Sequence, residues 1–420
     1  MEQTFPTRNI LCIDLKSFFA TCECFDRGLD PFKTALVVAD PDRGGGAITL
    51  AVTPLLKSKG VKSRGRVFEI PKHLNYTIVK PRMNLYLKKS KEVVDLYSEF
   101  VSEEDMYVYS IDEVWMDVTD YLKMYKKTDY ELALEILDVL YKKTGMLGTC
   151  GIGPNMLLAK IAMDVEAKHN NDFIAKWEYK DIPSKLWPIT PLSKVWGIGP
   201  RMEKKLNTMG LYKIEDIAKF SRDKLKVKFG IMGTELWDHA NGIDLKRISD
   251  WKVPAKEKSF NHSQVLFKDY YGDNIKIIID EMVEVLATRL RKEKKMTGLI
   301  AFGIGYSKDI QSGFYHSLKL ENATDNTRTL IDMCYTIFDQ YYDNSPIRKV
   351  SVSFGKLRDK DHVQLNMFET LDIQEKRDTI YKTIDDVKDK FGKNSIVKAS
   401  ALLEDSTILE RNKKTRGHSS

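Results

Sequence analysis

Two carboxylates stand side by side at Asp112 and Glu113, inside the stretch Tyr109-Ser110-Ile111-Asp112-Glu113-Val114-Trp115-Met116-Asp117, and a third, Asp14, closes a short apolar run near the start of the chain. No Lys or Arg lies within 109–117 to neutralise them. Carboxylates brought close together repel unless a proton or a cation comes between them. Hard oxygen donors in a small group suit Mg²⁺, which takes one or two carboxylates together with substrate phosphates. Two ions held in this way would stabilise the attacking and leaving oxygens of an in-line phosphoryl or nucleotidyl transfer. An isolated Asp-Glu pair reads more readily as part of a turn, so the choice depends on whether the fold brings Asp14 to it. Neighbours on a regular strand also point to opposite faces. A bend at the hairpin and the longer Glu side chain must therefore bring Asp112 and Glu113 to one place.

The elements that would do this are read from hydrophobic periodicity. Residues 9–14 read as a buried strand, and a Gly-, Pro- and Lys-rich excursion over 18–81 interrupts the pattern. Then come a helix over 83–101, strands over 107–111 and 114–119, a helix over 130–143 and a strand over 148–152. Without the excursion the order is strand, helix, strand, strand, helix, strand, the ferredoxin-like arrangement of an α+β protein. There the third strand lies beside the first and antiparallel to it, so the end of one abuts the start of the other. Asp14 should meet Asp112 and Glu113 at one sheet edge.

The same order recurs later. A strand over 258–267 precedes an apolar stripe at Ile275, Ile279, Met282, Leu286 and Leu290, and strands over 298–306 and 314–320 come next. Asp325 is expected to cap a helix running to about Tyr342, before a last strand over 348–357. Two domains of one topology are expected. Between them, 177–251 reads as helical and contains Gly197-Ile198-Gly199-Pro200. Glycines there let backbone N–H groups approach phosphates, and the next helix N-terminus favours negative charge; a plain helix-helix turn fits the same residues. Beyond Leu357 come Gln364 to Phe368 and a charged segment ending in a basic, polar tail expected to be mobile.

The chain has 420 residues, 42% hydrophobic and 30% charged, which is too apolar for disorder and long enough for about three domains. No apolar run nears the ~18 residues of a membrane span, and residues 1–10 lack the pattern of a secretory leader. Five cysteines, Cys12, Cys22, Cys24, Cys150 and Cys334, form neither a disulfide ladder nor a CxxC zinc pair, which fits a reducing cytoplasm. Net charge is +7, suited to a nucleic-acid partner and equally to an ordinary soluble protein. Basic residues gather at Lys57, Lys59, Lys62, Arg64 and Arg66, and at Arg289, Arg291, Lys292, Lys294 and Lys295, as contact surfaces or as solvated faces.

Ile13-Asp14-Leu15-Lys16-Ser17-Phe18-Phe19-Ala20 and Ser110-Ile111-Asp112-Glu113 resemble the two signature motifs of the Y-family translesion DNA polymerases. Gly151-Ile152-Gly153-Pro154-Asn155-Met156-Leu157-Leu158-Ala159-Lys160-Ile161-Ala162 looks like the family's third palm motif. Trp196-Gly197-Ile198-Gly199-Pro200, with Leu206 and Gly210-Leu211, resembles its helix-hairpin-helix thumb. Asn261-His262-Ser263-Gln264 resembles the entry to its little finger. The resemblance covers 10–357 and is nearest to UmuC-like proteins of Gram-positive bacteria, of the UvrX type. It implies a palm at 1–17 and 82–175, fingers at 18–81, a thumb at 176–250, a little finger at 255–358, and a clamp-binding motif and tail at 359–420.

By the resemblance, Asp14, Asp112 and Glu113 ligate two Mg²⁺ with the Leu15 carbonyl, Ser17 and Phe18 lie under the triphosphate, and Phe19 is the steric gate against a ribose 2′-OH. A core aromatic is the plainer reading of Phe19. Lys160 and Lys57 would contact phosphates, although Lys57 stands where many relatives carry Arg, Pro54 where many carry Tyr, and Lys16 where an acidic or polar residue is common. Gly197 and Gly199 would touch duplex DNA without reading sequence. Gln364, Leu365, Met367 and Phe368 resemble a peptide that binds the bacterial sliding clamp; an apolar tether on the little finger fits them too. The small insert, with Gly44-Gly45-Gly46, offers little to press on a nascent base pair, so shape discrimination should be loose. The implied activity is template-directed, error-prone DNA synthesis past damaged bases, in the cytoplasm, with primer-template DNA, deoxynucleoside triphosphates, the clamp and RecA as partners. A nucleotidyl cyclase and a non-catalytic DNA- and clamp-binding scaffold are the competing functions.

Overall fold

A computed structural model describes residues 5, 7–253, 258–307, 309–310, 312–360, 371–415 and 418–419. It divides into two compact units, Met1–Val253 with His418–Ser420, and Pro254–Gly417. Among the described residues, no helix is long and apolar enough to cross a membrane.

In the first unit, β1 (Ile10–Leu15) leads into α1 (Phe18–Asp26). Next come α2 (Met83–Tyr97), β2 (Met106–Val108), β3 (Glu113–Asp117), α3 (Asp129–Thr144) and β4 (Gly148–Gly153). The sheet order is β5-β4-β1-β3-β2, with β5 (Ile174–Lys176) added parallel to β4. Leaving β5 aside, the strands run 4-1-3-2 and are antiparallel throughout.

Alternation along β1 explains why it reads as one apolar run. Leu11, Ile13 and Leu15 enter the core shared with α1, α2 and α3, while Ile10 and Cys12 pack on the opposite face against Trp115, Met156, Ala159 and Met163. That opposite face is covered by α4 (Met156–Val165), and two glycines allow it to come close. A Cβ on Gly151 would lie 2.0 Å from the Ala159 carbonyl oxygen, and one on Gly153 would lie 2.4 Å from the Ala159 nitrogen. Asn155 starts α4 by accepting from the Leu158 N–H at 2.9 Å, and its amide donates to the Gly242 carbonyl at 2.9 Å.

The residues between α1 and α2 have a small core of their own, Val37, Ala39, Ala47, Val52, Leu56, Val61, Val67 and Ile70. Phe18, Ala20, Cys22 and Cys24 of α1 instead join the core of the main sheet.

The second unit runs β6 (Phe260–Tyr270), α5 (Asn274–Lys292), β7 (Lys295–Tyr306), β8 (Gly313–Thr324), α6 (Thr327–Tyr341) and β9 (Ile347–Asp359). The stripe from Ile275 to Leu290 is buried in its core. Its element order repeats that of the first unit, but the sheet order is β6-β9-β7-β8, which is 1-4-2-3. The expected common topology therefore holds for element order and fails for strand order. Periodicity identifies strands and hairpins; it carries no signal for which strand takes the middle of a sheet.

Two further expectations are corrected, and one segment holds a helix that was not expected. The strand expected over 107–111 ends at Val108, because the N–H groups of Tyr109 and Ser110 both turn to the Glu113 carbonyl, at 3.0 and 3.2 Å. The cap of α6 is Asn326, which accepts from the Arg328 N–H at 3.0 Å, whereas Asp325 pairs with Lys360 at 2.8 Å; both are residues that cap helices, and sequence does not choose between neighbours. The charged segment ahead of the expected basic, polar tail contains α7 (Leu371–Phe391), held to α5 through Arg291–Asp385 at 2.8 Å and Lys388–Glu284 at 2.7 Å. Farther on, Ser406 and Thr407 donate to Glu281 at 2.6 and 3.0 Å. Its charges look solvated in sequence because their partners lie about a hundred residues away.

Candidate active site

In the 4-1-3-2 sheet Asp14 and Glu113 are direct cross-strand partners. The Asp112 carbonyl accepts from the Leu15 N–H at 2.9 Å, and the Ser110 hydroxyl donates to the Asp112 carboxylate at 2.7 Å. Because β2 stops early, Asp112 belongs to the turn and Glu113 opens β3. Asp112 thus escapes the strand alternation that would have aimed it away from Glu113. The three carboxylates and Leu15 meet at one edge, as the sequence leads one to expect.

The hairpin supplies no cation, but α4 and the turn after it do. Lys160 Nζ lies 2.8 Å from Glu113 and 3.0 Å from Asp164; Lys168 Nζ lies 2.7 Å from Asp164 and 3.7 Å from Asp14. The expectation that the carboxylates are unpaired is therefore corrected. Lys160, Asp164 and Lys168 recur every four residues, so each falls on the same side of the helical path. That spacing was a legible signal for Asp164 and Lys168, which sequence reasoning missed. The Cys12 thiol, on the same face of β1, donates to Glu113 at 3.5 Å.

Electrostatics follow from this crowding. Burial pushes Asp14 up to about 6, Lys168 opposes the shift, and Asp112 adds to it. Burial works against the charge on Lys160, and Cys12, Asp164 and Glu113 together more than offset it, leaving the ammonium above its usual range.

Asp14, Asp112 and Glu113 offer only hard oxygens, and burial makes the Asp14 carboxyl hold its proton more tightly than usual despite Lys168 nearby. That chemistry fits a divalent cation such as Mg²⁺. Among the described residues, no three His, Cys, Asp or Glu side chains are yet gathered tightly enough to hold an ion, and Glu113 is engaged by Lys160.

Beside the carboxylates, Ser17 starts α1 in the left-handed region, at φ 51°, with its hydroxyl buried and without a partner. The Phe18 side chain is in the core, so only its backbone could reach a phosphate. Phe19 is half-buried and stacks on Tyr86, with ring centroids 4.5 Å apart and planes at 18°. Lys16 lies 3.8 Å over the Phe173 ring. Lys57 is exposed, yet the protein around it lowers its pKa, opposed by Asp14 and Asp112 and reinforced by Lys168. Lys16, Lys57 and Lys168 thus share one neighbourhood with Asp14.

In the helical part, Gly197 and Gly199 are exposed, and nothing lies within 4 Å of a Cβ built on either. Gly197 has φ 91°, and Gly199 starts the helix Pro200–Asn207. The neighbouring Trp196 packs edge-on against Trp115 of β3, with ring centroids 5.7 Å apart. Gln364, Leu365, Met367 and Phe368 lie outside the described residues.

Comparison with known proteins places this geometry in context. The impB/mucB/samB family matches residues 13–164, the C-terminal domain of that family matches 257–367, and the HHH motif of the IMS family matches 179–211. The putative UV-damage repair protein UvrX of Bacillus subtilis (strain 168) is 39% identical over 99% of both chains. DNA polymerase IV 2 of the same organism is 32% identical over 97% of this chain and 98% of its own. Among solved structures, a Y-family DNA polymerase chimera of Dbh and Dpo4 superposes with a TM-score of 0.66 at 19% identity, covering 84% of this chain and 99% of that one. At that identity the likeness speaks for the fold.

Proposed function

Because the chain belongs to the Y family of DNA polymerases, in its UvrX-type branch, we propose that Asp14, Asp112 and Glu113 support a two-metal nucleotidyl transfer that carries a primer past damaged template bases. The chain is a DNA-directed DNA polymerase acting on primer-template DNA and deoxynucleoside triphosphates, with the divalent-metal dependence of its family. One observation supports the residue assignment most strongly: the register Asp14 to Glu113, with Asp112 in the turn beside them.

The bound ions would supply Lewis-acid stabilisation of the attacking and leaving oxygens. The three carboxylates and the Leu15 carbonyl would hold two Mg²⁺. Lys160 would leave Glu113 for the incoming triphosphate, acting as a point charge, with Lys57 beside it. Backbone N–H groups of Ser17 and Phe18 would face the phosphates at the start of α1, and Phe19 would exclude the ribose 2′-OH. Gly197 and Gly199 would approach duplex phosphates.

The domains proposed are a palm at 1–17 and 82–175, fingers at 18–81, a thumb at 176–250 and a little finger at 255–358. A role in the SOS response, in the cytoplasm and with RecA, is part of the same reading, as is clamp binding through Gln364, Leu365, Met367 and Phe368. Family membership weighs against the cyclase, and four intact polar site residues weigh against a scaffold.

Primer extension with Mg²⁺ on undamaged and lesion-bearing templates tests the proposal; no extension on either would sink it. For the clamp, Leu365→Ala with Phe368→Ala should leave distributive synthesis intact and remove its stimulation by clamp, since tethering raises effective concentration without touching chemistry. Full stimulation of that variant would reassign the peptide.

A further inference from the structure

Phe19 and Glu23 are four residues apart on α1, and Arg82 and Tyr86 are four apart at the start of α2. Each pair therefore shares one helix face. The two faces meet twice: ring to ring between Phe19 and Tyr86, and charge to charge between Glu23 and Arg82. Glu23 and Tyr86 are both fully buried. The Tyr86 hydroxyl donates to Glu23 Oε1 at 2.6 Å, Arg82 Nη2 donates to Oε2 at 2.7 Å, and Arg27 also pairs with Oε2.

This carboxylate is charged despite its burial. Burial pushes Glu23 up, and hydrogen bonds from Arg82, Tyr86 and Arg27 more than reverse that, leaving it below its usual range. Charge-assisted bonds of this kind are short and directional, so the Tyr86 ring is pinned at its hydroxyl and cannot swing. Phe19 is the half-exposed member of the stack, and the Tyr86 ring forms its back wall. A ring that acts by filling space is sensitive to sub-ångström retreat, since misplacements of about 1 Å can cost about a hundredfold in discrimination or rate.

We propose that Glu23, buried between α1 and α2 and touching no substrate, is a positioning residue for the gate: acting through Tyr86, it fixes how far Phe19 stands into the sugar pocket, and so sets selection against ribonucleoside triphosphates. The inference rests on reading Phe19 as the gate. A purely apolar contact between the helices would leave the Phe19 ring free to shift along its partner.

The test uses the full chain and measures kcat/KM for a deoxynucleotide and the matching ribonucleotide in Glu23→Gln, Tyr86→Phe and Phe19→Ala, each alone, and with the first two also combined with Phe19→Ala. Glu23→Gln and Tyr86→Phe keep the shape of the core while removing the charge or the hydroxyl. Each should lower the deoxy-to-ribo ratio by about tenfold while leaving deoxynucleotide efficiency within about twofold. Neither should lower the ratio further once Phe19 is alanine, because residues acting through one contact are not additive. A merely structural role predicts instead a lower melting temperature with equal losses on both nucleotides, and that result would overturn the inference. If Phe19→Ala relaxes ribonucleotide exclusion while the other two leave the ratio unchanged, the gate stands and the role of Glu23 is refuted. If Phe19→Ala itself leaves exclusion intact, the gate reading fails and takes the inference with it. Should Glu23→Gln not fold, Tyr86→Phe decides alone.

Discussion

The sheets of the two units share an element order and differ in which strand takes the middle, and that difference decides which of them can host chemistry. In the 4-1-3-2 sheet the end of strand one lies against the start of strand three, so Asp14 faces Glu113. In the 1-4-2-3 sheet strand one, β6, and strand three, β8, form opposite edges. Carboxylates at the equivalent ends could not meet there. Acids in the second unit stand apart from one another in single pairs, Asp269 with Arg348 at 3.1 Å and Asp385 with Arg291 at 2.8 Å, whereas Asp14, Asp112 and Glu113 crowd together beside Lys160 and Lys168. Acids are crowded at one edge in the first unit and dispersed as separate pairs in the second. Removing an acid should therefore have opposite consequences in the two units.

The largest effect is expected at the concentrated site. Asp112→Asn or Glu113→Gln should reduce nucleotide incorporation by roughly a thousandfold or more, since losing a metal ligand removes several kcal/mol of transition-state stabilisation. DNA affinity should hardly change, because it comes from basic contacts to phosphates. Single-turnover incorporation alongside equilibrium DNA binding would show this, and near-normal turnover would remove both residues from catalysis. Asp385→Ala should do the reverse. Its pair with Arg291 is nearly buried, with side chains 9% and 13% exposed, and stripping one partner from such a pair costs about 4 kcal/mol. Denaturant unfolding should reveal the loss in the second unit, with incorporation per bound primer intact; unchanged stability would mean that α7 is not held by this pair.

Most of what concentrates charge at one edge was legible in the sequence. The alternation of β1, the hairpin before β3 and the Gly151-Ile152-Gly153 approach of α4 leave local signatures, and these bring Asp14, Asp112, Glu113 and Lys160 together. The contact of Glu23 with Tyr86 was not legible, because it joins two helices sixty-three residues apart and depends on how the insert between them folds back. The docking of α7 was hidden for a related reason: among its described side chains and those following it to 413, Ala401 is the one buried apolar residue, so no apolar stripe announces it. Strand order in the second sheet has no local signature at all.

A smaller effect separates the units by pH. Asp14 titrates near 6 in the fold against 3.8 for the free side chain. Between about pH 4 and 6 the folded chain therefore binds more protons than the unfolded one, and stability falls as pH rises through that window. The shift of 6 − 3.8 corresponds to about 3 kcal/mol. In the absence of metal, Asp14→Asn should thus be more stable than the natural chain by up to about 3 kcal/mol at pH 7, with the gap closing below about pH 4. Mg²⁺ should stabilise the natural chain more than the variant. A gap independent of pH would show that burial does not raise Asp14 in the fold.

The finest comparison sets two helix caps against each other. Asn155 and Asn326 each start a helix by accepting a backbone N–H, but only Asn155 also uses its amide, donating to the buried Gly242 carbonyl at 2.9 Å. Replacing Asn326 by Ala removes one cap and should cost about 1 kcal/mol, with no effect on incorporation. Replacing Asn155 by Ala removes the cap and leaves a buried carbonyl unpaired, which should cost about 2 kcal/mol in all. It should also lower incorporation, because Lys160 is five residues into the helix that Asn155 starts, and that helix rests on Gly151 and Gly153 with no room to shift in compensation. Equal stability losses in the two variants would mean that the Gly242 contact contributes nothing. A loss of incorporation in Asn326→Ala as large as that in Asn155→Ala would mean that activity follows general stability, and that the helix over the charged sheet has no special part in placing Lys160.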